Sequence, residues 1–99
     1  MDFTPDDIVV VNNPDARRFE ARVGDYFALL DYMITGTSII LVHTEVAPAL
    51  EGQGVGGKLA KTALEFAKEK GYKVVPVCPF VFAYIRRHPE YKSITWSSV

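Results

Sequence analysis

The chain has 99 residues, 48% of them hydrophobic, with 11 Lys and Arg against 12 Asp and Glu. This predicts one small domain over residues 1–99, and the net charge of −1 argues against a nucleic-acid partner. The lone Cys78 excludes an internal disulfide and a Cys-rich zinc site, so no metal is expected. No apolar run can span a bilayer, and Met1–Asp7 lacks the basic and apolar regions of a signal peptide, so a cytoplasmic protein without a membrane partner is expected.

The β-branched run Ile8–Val11 predicts a first strand, ended by the turn signal Asn12-Asn13-Pro14-Asp15. Arg18–Val23 alternates polar and apolar, as a half-buried strand does. Gly24-Asp25 turns the chain into a third strand, Tyr26–Met33, and Thr35-Gly36-Thr37 turns it into a fourth, Ser38–Val46. Loops this short join antiparallel neighbours, so the first half reads as a four-stranded meander. The period then changes. Leu59, Ala60, Ala63, Leu64 and Ala67 recur at helical spacing between Gly57 and Lys70, and Gly71 stands at the C-cap. Tyr72–Val77 reads as a strand, which completes a βαβ unit and makes the fifth strand parallel to the fourth. Pro79 opens a short helix, Phe80–Arg87, which His88-Pro89 closes, and Ile94-Thr95-Trp96 reads as a short last strand. The fold class is α/β (α+β).

Three fingerprints overlap in the glycine loop between the fourth strand and the long helix. Gly52-x-Gly54-x-x-Gly57 matches the dinucleotide-binding turn, but four strands precede it and Lys73–Val77, where a ribose-binding acid belongs, contains none. Gly52-x-x-x-x-Gly57-Lys58 approaches a P-loop, but Leu59 stands where a hydroxyl must bind Mg²⁺. The third pattern is Glu51-x-x-Gly54-x-Gly56 at the entry to a helix. It resembles the pyrophosphate-binding turn of the GNAT superfamily of N-acetyltransferases, usually Gln/Arg-x-x-Gly-x-Gly/Ala, from which Glu51 departs. The glycines let backbone N–H groups approach phosphate, and the helix N-terminus adds its dipole.

The resemblance extends along the chain. His43-Thr44-Glu45-Val46, Glu51–Gly56, Pro76-Val77-Cys78-Pro79-Phe80 and Arg87-His88-Pro89-Glu90-Tyr91 are together similar to a family of very small GNAT-like acetyltransferases that lack the N-terminal acceptor-binding helices. It implies a minimal GNAT fold: the antiparallel meander, then the βαβ unit with its parallel fifth strand and short C-terminal helix. It also implies acetyl-CoA as cosubstrate and an amine-bearing small molecule or peptide as acceptor. Thr44, Glu45 and Val46 are then expected beside the pantetheine arm, with Cys78 at its far wall, and Gln53, Gly54, Val55, Gly56, Gly57 and Lys58 around the pyrophosphate.

Acetyl transfer needs a base for the amine, donors for the carbonyl and a proton for the departing thiol. His43 and Glu45 are two apart on a strand and share a face, so either can serve as base. Each can equally be an ordinary strand residue. Cys78 precedes a helix N-terminus, where a thiol is activated, so it is a candidate nucleophile or acid, or a small packing residue. The place of Tyr84 resembles that of the GNAT tyrosine that protonates the thiolate, although His88-Pro89 replaces the usual Gly-Phe; a core aromatic is the alternative. Arg86, Arg87 and His88 could meet the phosphates at the nucleotide end of CoA, but read rather as a solvated helix face.

The expected function is therefore an N-acetyltransferase, monomeric or weakly dimeric, with a non-catalytic CoA-binding or partner-binding module as the rival. Charge adds one feature. Met1–Ala49 carries three basic and eight acidic residues, a net −5, and Leu50–Val99 eight basic and four acidic, a net +4. A basic half for an anionic cosubstrate and an acidic half for a cationic acceptor is the reading this split offers, so acceptors with extra positive charge are expected to be preferred.

Overall fold

A computed structural model describes residues 8–96, so the reading of Met1–Asp7 lies outside it. Five strands form one sheet in sequence order: β1 (Val10–Asn13), β2 (Arg18–Val23), β3 (Tyr26–Thr35), β4 (Ser38–Val46) and β5 (Lys73–Pro76). The first four pair antiparallel and β5 lies parallel to β4. Helix α1 (Val55–Lys70) crosses from β4 to β5, and α2 (Pro79–Arg87) follows β5. The α/β class and the meander followed by a βαβ unit are as the sequence indicates.

The differences are local. β1 begins two residues later than expected and runs through Asn12-Asn13, because Asn12 accepts a hydrogen bond from Tyr32 Oη at 2.7 Å and Asn13 donates to Glu20 at 3.1 Å. α1 begins at Val55, since Gly56 and Gly57 continue its first turn. The expected last strand is reduced to a single bridge, Val74 to Thr95; a 3₁₀ segment, Pro89–Ile94, takes the chain there instead.

One face of the sheet is covered. Val55, Leu59, Ala60, Ala63, Leu64 and Ala67 of α1 are buried on it, against Phe19, Ala21, Ala28, Leu30, Ile39, Leu41 and Val74. Residues paired across strands share a face. Ile34–Ile39–Val74 and Tyr32–Leu41–Pro76 are therefore inner rows, and Met33–Ile40–Val75 lies between them on the outer face.

A bulge changes the parity of β4. Tyr32 pairs with Leu41, but Asp31 pairs with His43, which leaves Val42 as an extra residue. Simple alternation from Ile39 and Leu41 directs His43 and Glu45 into the core. The extra residue turns them outward, and Thr44 and Val46 join the inner face opposite Leu30 and Ala28.

Candidate functional site in the fork between β4 and β5

β4 and β5 pair only from Ser38 to Leu41. The last backbone link between them runs from Cys78 N–H to the Leu41 carbonyl, at 2.9 Å. Beyond it β5 gives way to α2, while β4 continues to Val46, so the two segments fork. At the apex Thr44 Oγ1 lies 3.2 Å from Cys78 Sγ. Cys78 is only 3% exposed and belongs to the core.

A cleft of about 320 Å³ opens at the fork. Thr44 and Val46 of β4, Leu50 to Gly52 of the loop, Gly54 to Gly57 at the start of α1 and Phe80 of α2 line it. Gly54 caps α1 in the left-handed conformation, φ +83°, which an L side chain rarely adopts. The first α1 hydrogen bond is Lys58 N–H to Gly54 O at 3.0 Å, so the N–H groups of Val55, Gly56 and Gly57 have no intrahelical partner. No side chain caps this end and the first turn holds no acidic residue. Donors and helix dipole therefore favour an anion. Glu51 beside them opposes one.

Gly56 leaves room for the Phe80 ring. A Cβ there meets Phe80 Cζ at 2.8 Å, closer than side chains approach, so its absence lets Phe80 wall the cleft. Sequence reasoning missed Phe80 as a site residue. Its signal was an aromatic after Pro79, facing a helix that opens with two glycines. Gln53 and Lys58 lie outside the cleft lining. Gln53 Nε2 donates to the Ala49 carbonyl at 3.0 Å and so braces the loop, and Lys58 lines a second groove with Lys61, Thr62 and Phe66.

The outer face presents His43 and Glu45, with His43 Nε2 3.4 Å from Glu45 Oε1 and side chains 56% and 65% exposed. Tyr84 stands behind the glycine turn, where a side chain at position 57 would begin 3.8 Å from its ring, and it stacks on His88 with centroids 4.0 Å apart. His88 Nδ1–H donates to the Tyr84 carbonyl at 2.9 Å. Tyr84 Oη has no hydrogen-bond partner among the described residues, and burial, with Glu90 adding to it, raises its pKa above the ordinary tyrosine value. Tyr91 Oη donates to Glu65 at 2.7 Å, tying the 3₁₀ segment to α1. The fork thus brings together Thr44, Val46, Cys78 and the glycine turn, with His43 and Glu45 across the sheet and Tyr84 behind the turn.

Among the described residues no helix is long and apolar enough to cross a membrane, and no cluster of three or more His, Cys, Asp or Glu could hold a metal.

Comparison with known proteins bears on this arrangement. A family profile described as GCN5-related N-acetyl-transferase matches residues 18–94. Protein NATD1 of Mus musculus is 34% identical over 85 residues, which cover 83% of this chain and 77% of that protein. Protein NATD1 of Homo sapiens is 38% identical over 76 residues, 74% of this chain and 67% of that one. The solution structure of a GCN5-like protein from Staphylococcus aureus superposes with a TM-score of 0.71 at 24% identity, covering 92% of this chain and 90% of the other. That structure shares the fold. The chain belongs to the GCN5-related N-acetyltransferase family.

Proposed function

We propose that this protein binds acetyl-CoA in the fork and transfers its acetyl group to a primary amine. One observation carries the reading: an uncapped helix N-terminus, with three free N–H groups and a glycine turn, opens onto a cleft at a split between parallel strands. The residues present fit the cosubstrate. The N–H groups of Val55, Gly56 and Gly57 receive the pyrophosphate. The β4 segment Thr44–Val46, unpaired on its β5 side, offers backbone groups to the amide-bearing arm.

The acceptor arrives as an ammonium ion and must lose a proton before its nitrogen attacks. His43 and Glu45 supply a base at the outer side of the fork. As the C–N bond forms, the nitrogen sheds its second proton and the C–S bond breaks; the departing thiolate takes one proton, for which the Tyr84 phenol, protonated at neutral pH as any tyrosine is and regaining its proton from solvent, is the candidate donor. Direct attack is favoured over relay through Cys78, because that thiol is buried and already against Thr44 Oγ1. A free, buried thiol suits a reducing, cytoplasmic setting.

Thermal melts with CoA and with acetyl-CoA test the first step. Ligand at a hundred times its dissociation constant stabilises by about 2.7 kcal/mol. No shift with either ligand defeats the reading. A screen of amines with acetyl-CoA then separates an enzyme from a CoA-binding module, and an acetyl adduct on Cys78 by intact mass would reinstate the relay.

A further inference from the structure

The outer face beside the fork divides into two zones, and together they describe an acceptor. The first is polar. Asp31 pairs with His43 across β3 and β4, and Glu45 stands 3.4 Å from His43. Arg18, across from Asp31 on β2, is held by Glu20 at 2.6 Å, and among the described residues Asp31 has no Lys or Arg within 4 Å. The second zone is apolar. Met33, Ile40 and Val75 form one row across three strands, with Met33 half exposed. Two residues along β3 separate Asp31 from Met33, roughly 7 Å. Beyond the row lies Lys73, whose ammonium donates to the Ser93 carbonyl at 3.0 Å.

Resting on the acetyl-transfer reading, we propose that the acceptor is an amphiphilic primary monoamine. The cosubstrate cleft, α1 and α2 occupy the inner face, so an acceptor reaches the fork from the outer one. Its ammonium sits among Asp31, His43 and Glu45: the two carboxylates match it in charge, and His43 and Glu45 hold the base. Its apolar body lies along Met33–Ile40–Val75 and removes that row from water. A second ammonium at the far end of the acceptor would be set on apolar side chains and towards Lys73. The charge split of the sequence thus acquires a limit: one positive charge is favoured and two are not.

The test compares n-hexylamine with 1,6-diaminohexane, which have the same carbon chain and differ in the terminal charge. Each is titrated into ¹⁵N-labelled protein, with and without saturating CoA, and amide shifts are followed. Hexylamine is expected to bind at least about tenfold more tightly, because the second ammonium of the diamine keeps about two neighbouring methylenes in water, with shifts centred on Met33, Ile40, His43 and Val75. Met33→Lys is expected to abolish that preference without altering CoA affinity; Met33→Ser, milder for the fold, should reduce it. Equal affinity for the two amines, or shifts centred elsewhere, overturns the proposal. Failure of CoA to move the Gly54–Gly57 amides overturns the acetyl-transfer reading instead, and the CoA-free titration still reads the acceptor face.

Discussion

The two halves of β4 do different work with the same backbone. From Ser38 to Leu41 the strand is bonded on both sides, and Ile39 and Leu41 are fully buried beneath α1. From His43 to Val46 it is bonded on the β3 side alone, and every residue keeps some solvent contact. Val42 marks the border: the bulge and the last β4–β5 bond fall within a residue of each other. One half holds the fold, and its rigidity positions the other, which is free to receive a ligand. Substitutions in the first half should cost stability, and those in the second should cost function.

The largest expected effect is in the paired half. Leu41→Ala should destabilise by about 2–5 kcal/mol, read from urea unfolding, because the cavity opens under α1 where nothing can collapse into it. His43→Ala and Glu45→Ala should change stability by less than about 0.5 kcal/mol, since both side chains are mostly exposed. Under the acetyl-transfer reading the double variant should lose on the order of 10²-fold in kcat. Equal stability losses in the two halves would erase the distinction between them.

Gly56→Ala comes next. The new Cβ would stand 2.8 Å from Phe80 Cζ, so the ring or the first turn of α1 must move. CoA affinity should fall about tenfold, and Phe80→Ala should restore part of it, since residues in direct contact couple by about 0.5–3 kcal/mol. Additive losses in that cycle would show that Phe80 does not wall the cleft.

Tyr91→Phe sharpens the comparison from behind the site. Its hydrogen bond to Glu65 is lost, at a cost of about 1–2 kcal/mol in unfolding free energy. Burial and the Glu65 hydrogen bond raise the Tyr91 pKa, and burial raises that of Tyr84. Each folded value thus lies above the unfolded one, so their stabilisation is complete below about pH 10 and is lost as pH rises further. Melting temperatures from pH 8 to 11 should fall steeply above pH 10 in the parent and less steeply in Tyr91→Phe. Parallel curves would mean that Tyr91 does not govern the alkaline limb.

Much of this was legible in residue order. Arg18–Val23 and Ser38–Val46 are strands at the bounds their patterns mark, because two-residue loops and β-branched runs fix them locally. The glycine turn was legible because few other residues adopt the φ of Gly54. The bulge was not, since nothing in Leu41-Val42-His43 distinguishes an extra residue from one more strand step. It decides which side of the sheet His43 and Thr44 occupy. Phe80 escaped for a related reason: its role depends on a contact with Gly56, 24 residues away in sequence, that only the crossing of two helices creates. The short last strand failed because Pro89 opens a 3₁₀ segment, and contact with β5 is confined to the Thr95 bridge and the bond from Trp96 N–H to the Val74 carbonyl.

The smallest effect tests the one loop residue that departs from the family turn. Glu51 lines the cleft, exposed, beside donors that favour an anion. If a pyrophosphate binds those donors, a carboxylate lining the same cleft weakens it, by about threefold for a separation of about 7 Å in a water-like medium. Glu51→Gln should then tighten CoA binding by that factor at low salt, and the gain should shrink as the ionic strength rises past the point where the Debye length falls below that separation. The sign is the informative part. Looser binding in Glu51→Gln would mean that the carboxylate accepts a hydrogen bond from the ligand, so that the departure from the family turn is itself a recognition element. An unchanged affinity at every salt concentration would place the anion away from the glycine turn, and the unpaired half of β4 would lose its claim to be half of a binding site.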